Sequence, residues 1–304
     1  MKTLVVAPDL DRRMLVLGFP EYAEQGLALA RAADAAYAEV EIHRFPDGET
    51  LVRLPPGLPP RVVLCRSLDR PNDKILELCM TARTARELGA KEVGLVAPYL
   101  CYMRQDKAFV PGEAVSQRIV GALLADWFDS LVTVDPHLHR VHRLADAVPA
   151  VRTESLTAAS IMGQFLADKI GSPLLLGPDA ESEQWVKAIA APHRFDYRVG
   201  VKQRRGDRDV HVDFPGLWCR GRHCVLVDDV ASTGRTLEAA AVALAAQRPA
   251  SVAVLVTHAL FLEGSLDRLR ALGVEQVWST DSIPHPTNRL ALGPLLAAAL
   301  VHSV

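Results

Sequence analysis

The chain has almost no charge imbalance: 34 lysines and arginines face 36 aspartates and glutamates, leaving a formal net charge of −2. A broad field of one sign is therefore missing, which excludes a general nucleic-acid or membrane-surface role. Cysteine is scarce, with residues only at 65, 79, 101, 219 and 224, an odd count and no Cys-x-x-Cys pair. Reduced, buried thiols follow from that pattern. No apolar stretch approaches the roughly 20 residues that span a bilayer. The opening MKTLVVAPDL has too short an apolar run for a signal peptide, and Asp9, Asp11 and two arginines soon break it. Low-complexity tracts and tails of like charge are also missing. A cytoplasmic protein with no nucleic-acid or membrane partner is expected.

What the chain has is core-forming material. Hydrophobic residues make up 49% of 304 positions, and at roughly 100–200 residues per domain that length suggests two domains. Short apolar runs (TLVVA, RVVLC, EVGLVAP, SLVTVD, PLLLG, YRVGV, CVLVDDV, SVAVLVTHA, QVWSTDS) alternate with helix-like segments at 71–89, 114–127, 154–170, 181–191, 235–247 and 289–302. Continuous apolar strands alternating with helices indicate parallel sheets covered on both faces. The excursions FPDGE and LPPGLPP speak against eight even barrel units. The expected fold is α/β, two doubly wound domains with parallel sheets. The boundary is placed at 148–152, giving domains 1–150 and 151–286, with a C-terminal helix at 287–304 packing back on the first. Thr153-Glu-Ser-Leu supplies capping groups, which puts a helix start near Thr153.

In open α/β sheets ligands collect beyond the carboxyl ends of the strands. Five such ends carry polar or glycine-rich strings: YLCYMRQDK (99–107), DPHLHR (135–140), GPDAESEQW (177–185), VKQRRGDRD (201–209) and DDVASTGRT (228–236). In the last of these, Ser232, Thr233, Gly234, Arg235 and Thr236 lie between a strand and a helix, where N–H groups without helical partners point at an anion. Asp228 and Asp229 would repel a phosphate but suit the hydroxyls of a pentose. An ordinary helix cap accounts for one hydroxyl in this stretch and leaves the two acids unexplained. Arg104 and Gln105 place a guanidinium and an amide just beyond a strand, and arginine suits phosphate oxygens. His137 and His139, with His142 a turn later, have a spacing that also fits zinc, though no cysteine joins them. Lys202 and Arg204 lie in a charged, glycine-containing segment of the kind that closes over substrates, and a solvated surface run has the same composition.

VLVDDVASTGRTL resembles the phosphoribosyl-diphosphate motif shared by phosphoribosyltransferases and ribose-phosphate diphosphokinases. HRFPDGET (43–50), APYLCYMRQDK (97–107), TVDPHLHR (133–140), LGPD (176–179) and DSIPHPTN (281–288) resemble the diphosphokinase pattern in the same order. The resemblance covers about residue 40 to 304 and implies a phosphoribosyltransferase-like fold. It implies that Phe45, Asp47, Gly48, Glu49, Arg104 and Gln105 hold ATP, with the loop at 45–49 reaching an ATP site near a subunit interface of a homo-oligomer. It further assigns catalysis to Lys202 and Arg204, ribose 5-phosphate to Asp228, Asp229 and residues 232–236, and Mg²⁺ to His137 and Asp179. Magnesium prefers oxygen donors, which makes an imidazole ligand unusual.

The implied reaction moves the diphosphoryl group of ATP to the 1-hydroxyl of ribose 5-phosphate, giving AMP. Such chemistry rests on positioning and charge stabilisation rather than covalent catalysis. A phosphoribosyltransferase using the same sugar-phosphate site, and a silent nucleotide-binding regulator, are the alternatives. Two departures from the family pattern stand out. GPDAESEQW carries Glu181, Ser182, Glu183 and Trp185 where small residues are commoner, and Arg235 stands where many relatives have glycine or another small residue.

Overall fold

The structure is a computed structural model that describes residues 14–149, 151–204 and 210–302, without the side chains of 203–204, 210 and 301–302. It divides into unit 1, Met1–Leu156 with Leu292–Val304, and unit 2, Thr157–Ala291.

In unit 1 the chain forms β1 (Met14–Gly18), α1 (Ala23–Ala32), β2 (Ala36–Glu39), β3 (Glu41–Arg44), β4 (Thr50–Arg53) and β5 (Arg61–Cys65). It continues through α2 (Pro71–Glu87), β6 (Glu92–Val96), α3 (Ser116–Trp127), β7 (Ser130–Val134), α4 (Leu144–Ala147) and β8 (Arg152–Leu156). The main sheet has the order β2-β1-β5-β6-β7-β8, and every pairing in it is parallel. Its inner strands β1, β5, β6 and β7 are largely apolar on both faces, as a sheet covered on both sides requires. Leu15, Leu17, Val62, Leu64, Val93, Leu95 and Leu131 pack with Leu78 and Ala82 of α2 and Leu124 of α3. β3 and β4 pair antiparallel as a separate hairpin.

Unit 2 follows with α5 (Ala159–Ile170), β9 (Leu174–Gly177), α6 (Glu183–His193), β10 (Asp196–Val199), β11 (Val201–Arg204), β12 (Val210–Asp213) and β13 (His223–Ala231). Then come α7 (Arg235–Ala245), β14 (Ser251–Ala259), α8 (Ser265–Ala271), β15 (Val274–Thr280) and β16 (Asn288–Leu290). The sheet order is β10-β9-β13-β14-β15-β16, again all parallel, and β11 and β12 form their own antiparallel hairpin. Leu237, Ala240, Ala241 and Leu244 recur at helical spacing along α7 and meet Leu176, Leu226 and Val254 in the core. Finally α9 (Gly293–His302) packs against α1 in unit 1, and Arg61 donates from Nη2 to Leu300 O at 3.1 Å.

Counting main-sheet strands in chain order, both sheets read 2-1-3-4-5-6, and both carry a hairpin between the second and third strands. Strand order therefore reverses beside the first strand of each sheet, the position where doubly wound folds bind ligands.

Several expectations need correction. The segment from Thr153 is not a helix start: β8 occupies Arg152–Leu156 at the sheet edge, and α5 begins at Ala159, whose N–H donates to Thr157 Oγ1 at 3.2 Å. YRVGV is split into β10 and β11 at Gly200, and β16 takes the start of the segment expected to be helical from 289. The expected strand TLVVA lies outside the described residues. The free cysteines Cys65, Cys101, Cys219 and Cys224 are buried and Cys79 is half-buried. Among the described residues no helix is long and apolar enough to cross a membrane.

Candidate active site

Buried Val225, Leu226 and Val227 carry β13 to its two acids. Asp229 is 3% exposed and Asp228 is half-buried. Each carboxylate turns back to the next backbone N–H: Asp229 N donates to Asp228 Oδ1 at 3.1 Å, and Val230 N to Asp229 Oδ1 at 2.8 Å. A third acid comes from the end of β9. Asp179 caps the turn Ala180–Ser182: Ser182 N donates to Asp179 Oδ1 at 3.3 Å, and Ser182 Oγ donates to Asp179 O at 2.6 Å. This reciprocal cap sets the local shape of GPDAESEQW. Ser182 is buried inside it, while Glu181 and Glu183 are exposed.

Lys202 brings the opposing charge. Its Nζ lies 2.8 Å from Asp179 Oδ2, and both side chains are largely buried. Gly200 makes the reach possible. A Cβ there would lie 2.9 Å from Pro178 O, so only glycine lets the hairpin begin against the Pro178-Asp179 turn. One lysine does not balance the acids. Burial pushes the Asp228 carboxyl well above the ordinary carboxylate value, Asp229 and Asp179 push it further, and Asp229 N–H and Lys202 only partly oppose them. Among the described residues the arrangement holds more acids than cations, which suits a cation or hydroxyl donors. Arg204 pairs through its backbone with Val210 in the same hairpin, and its side chain lies outside the described residues.

Beyond the acids the chain turns into α7. Gly234 precedes the helix with φ +77°, a left-handed conformation that glycine adopts without strain. Thr233 Oγ1 accepts from Arg235 N at 3.4 Å, so this hydroxyl serves as a local cap. Ser232 and Thr236 are half-buried. Arg235 is exposed and lines an open groove with Thr233, Glu238, Ala239 and Arg268. Two carbonyls of the loop are held by the segment at 262–268, through Leu262 N, Ser265 Oγ and Arg268 Nη2 at 3.0–3.2 Å.

Unit 1 presents the other residues singled out from sequence. Phe45 to Glu49 form the tip of the β3–β4 hairpin, closed by Phe45 N to Glu49 O at 2.8 Å and Glu49 N to Asp47 Oδ1 at 3.1 Å, with Gly48 at φ +94°. Phe45 is 40% exposed and meets His43 edge-on. Arg104 is exposed; Gln105 is half-buried, and its carbonyl accepts from Gln117 N at 3.2 Å. Asp106 binds Arg140 through the guanidinium at 2.7 Å and the backbone N–H at 3.0 Å, joining the strings after β6 and β7. Lys107 lies over the Phe109 ring. His137 and His139 bring their Nε2 atoms to 2.8 Å.

Sequence reasoning singled out Ser182 without its capping role and missed Gly200, Ser265 and Arg268. Ser182 had a signal in the Asp-x-x-Ser spacing of a cap. Ser265 and Arg268 had none, because the loop they hold is more than 30 residues away along the chain.

Comparison with known proteins adds the family. A model described as the N-terminal domain of ribose phosphate pyrophosphokinase matches residues 16–127, and one described as a phosphoribosyl transferase domain matches residues 154–260. A ribose-phosphate pyrophosphokinase of Methanopyrus kandleri is 37% identical over 290 residues, 94% of this chain and 98% of that protein. One of Thermococcus kodakarensis is 30% identical over 266 residues, 88% of this chain and 93% of its own length. In fold, the chain is similar to the crystal structure of phosphoribosylpyrophosphate synthetase from Mycobacterium smegmatis, with TM-score 0.82 at 20% identity over 96% of this chain and 99% of that one. The chain belongs to the ribose-phosphate pyrophosphokinase family.

Proposed function

We propose that the protein transfers the diphosphoryl group of ATP to the 1-hydroxyl of ribose 5-phosphate, releasing AMP and 5-phospho-α-ribose 1-diphosphate. The observation that carries the reading is the sequence of groups at the end of β13. Two carboxylates suited to sugar hydroxyls are followed within a few residues by a glycine-hinged loop at a helix start. A phosphorylated pentose presents hydroxyls and a phosphate at opposite ends, and a helix N-terminus favours the anion.

In this reading Asp228 and Asp229 bind the ribose hydroxyls, and Ser232, Thr233, Gly234, Arg235 and Thr236 bind the 5-phosphate. Phe45, Asp47, Gly48, Glu49, Arg104 and Gln105 bind ATP. Lys202 and Arg204 stabilise charge on the transferring group, where fixed cations count most. Mg²⁺ neutralises the phosphate oxygens when bound. The donor chemistry fits it: Asp179, Asp228 and Asp229 offer the hard oxygens that Mg²⁺ prefers, next to Lys202. Asp179 is the better ligand on that ground and His137 the weaker one. We further propose that the protein acts in the cytoplasm as a homo-oligomer.

The test is incubation with Mg²⁺, ATP and ribose 5-phosphate, with AMP as the readout. AMP formation that depends on all three is expected. ATP binding without AMP would leave a regulatory relative, and consumption of 5-phospho-α-ribose 1-diphosphate without ATP would leave a phosphoribosyltransferase.

A further inference from the structure

A loop that binds phosphate through its N–H groups needs those groups aimed. In a trans peptide the C=O of one residue and the N–H of the next point in opposite directions. Whatever holds a carbonyl of the loop therefore aims the following N–H away from itself. Ser232 O accepts from Leu262 N at 3.1 Å, which turns the Thr233 N–H to the opposite side. Thr233 O accepts from Arg268 Nη2 at 3.0 Å and Ser265 Oγ at 3.2 Å, which turns the Gly234 N–H away from those two side chains. The next carbonyl, Gly234 O, is taken by Glu238 N at 2.8 Å inside the helix.

The Thr233–Gly234 peptide is the weak point of this arrangement. Glycine tolerates both signs of φ, so the peptide plane before it can flip at little cost. A flip would point a carbonyl oxygen at the phosphate. Arg268 opposes the flip by a fork: Nε binds Glu238 Oε1 at 2.8 Å in the first turn of α7, while Nη2 binds both Thr233 O and Ser265 Oγ, the latter at 3.1 Å. The planar guanidinium fixes those directions together. Glu238 also balances its charge.

We propose that Arg268 is a positioning residue for phosphate recognition: from α8 it locks the Thr233–Gly234 peptide with its N–H facing the 5-phosphate. This rests on the sugar-phosphate reading of the loop. Arg268 is exposed enough for its removal to leave the core of unit 2 intact.

The experiment compares the full chain with Arg268→Ala and Arg268→Lys. Ribose 5-phosphate and ATP binding are measured separately by calorimetry, alongside thermal unfolding. Arg268→Ala is expected to weaken ribose 5-phosphate binding about tenfold, as loss of one aimed hydrogen bond to a charged group does, with ATP affinity unchanged. Arg268→Lys keeps one donor for Thr233 O and should recover part of the loss. Equal ribose 5-phosphate binding by Arg268→Ala overturns the inference alone. Equal loss toward both ligands, tracking a fall in thermal stability, also overturns it, because the role is then merely structural. If the unaltered protein does not bind ribose 5-phosphate, the sugar-phosphate reading falls and the inference falls with it.

Discussion

Units 1 and 2 share one topology and treat its central crevice in opposite ways. In each, the acid that follows the first strand meets a cation: Glu21 after β1 binds Arg66 at 2.7 Å, and Asp179 after β9 binds Lys202 at 2.8 Å. In unit 1 the third strand then supplies Arg66 itself, 2% exposed, stacked over Phe19 and paired with buried Glu77. Lys74 joins Asp69 at 2.7 Å and Ser67 O at 2.8 Å, and Arg44 reaches from β3 to Glu77 at 3.2 Å. That crevice is neutralised by its own chain. In unit 2 the third strand supplies Asp228 and Asp229, and the crevice keeps a negative surplus. The carboxyls report the difference. Burial would raise Glu21, but Arg66, with Lys74 behind it, holds it below its ordinary value, whereas Asp228 is pushed well above. One topology thus yields a closed ionic core where charges balance and a binding crevice where they do not.

Breaking the balance in unit 1 should have the largest effect on stability. Glu77→Ala leaves Arg66 without its buried partner and should cost about 3–5 kcal/mol in denaturant unfolding. A loss within a few tenths of a kcal/mol would mean the network is not what closes that crevice.

Removing the cation that faces Asp179 in unit 2 should act on turnover instead. Lys202→Ala is expected to lower AMP formation about 100- to 1000-fold, by analogy with deleting one charge-stabilising donor. Its melting temperature should fall less than that of Glu77→Ala, since Asp179 is more exposed than Arg66 and keeps its cap on Ser182. Full turnover in this variant would remove Lys202 from the chemistry while leaving the sugar-phosphate reading intact.

The smallest effect should be the sign of the pH dependence. A carboxyl raised in the folded state holds its proton longer than in the unfolded chain, so its stability contribution falls as pH rises from about 4 through its folded value. Asp228→Asn should therefore gain stability at neutral pH and flatten that slope. Glu21, depressed in the folded state, works the other way: its contribution is lost as pH falls, and Glu21→Gln should flatten the acid limb. Thermal melts of both variants across pH 3–9 read the two signs, and like-signed slopes would erase the contrast.

Much of the fold was legible because parallel strands buried on both faces have to be continuously apolar. RVVLC, EVGLVAP, SVAVLVTHA and CVLVDDV each overlap a strand closely. The edge strands β2, β8 and β16 were not legible, though YRVGV marked part of the edge strand β10, and the interior β1 was not among the expected strands. β8 reads Arg-Thr-Glu-Ser-Leu and is half wet, so its polar residues imitate a helix cap. The hairpin at Gly200 was hidden for another reason, because YRVGV looks like one strand until the approach to Pro178 O is known. Within the candidate site, the acids and the glycine-hinged loop stood out as polar strings at strand ends, whereas their supports, Ser265 and Arg268, lie on an ordinary amphipathic helix.

By itself the sequence determined the α/β class, the strand ends that carry chemistry and the resemblance that names the family. Those depend on local pattern: apolar runs, turn residues and short motifs read within a dozen positions. Tertiary structure decided which charges cancel. Arg66 and Lys202 are both cations near acids in sequence, yet only the packing of β5 against α2 buries one with full compensation, while β13 leaves its acids in excess. Coulomb energy depends on distance and burial, and neither is written along the chain.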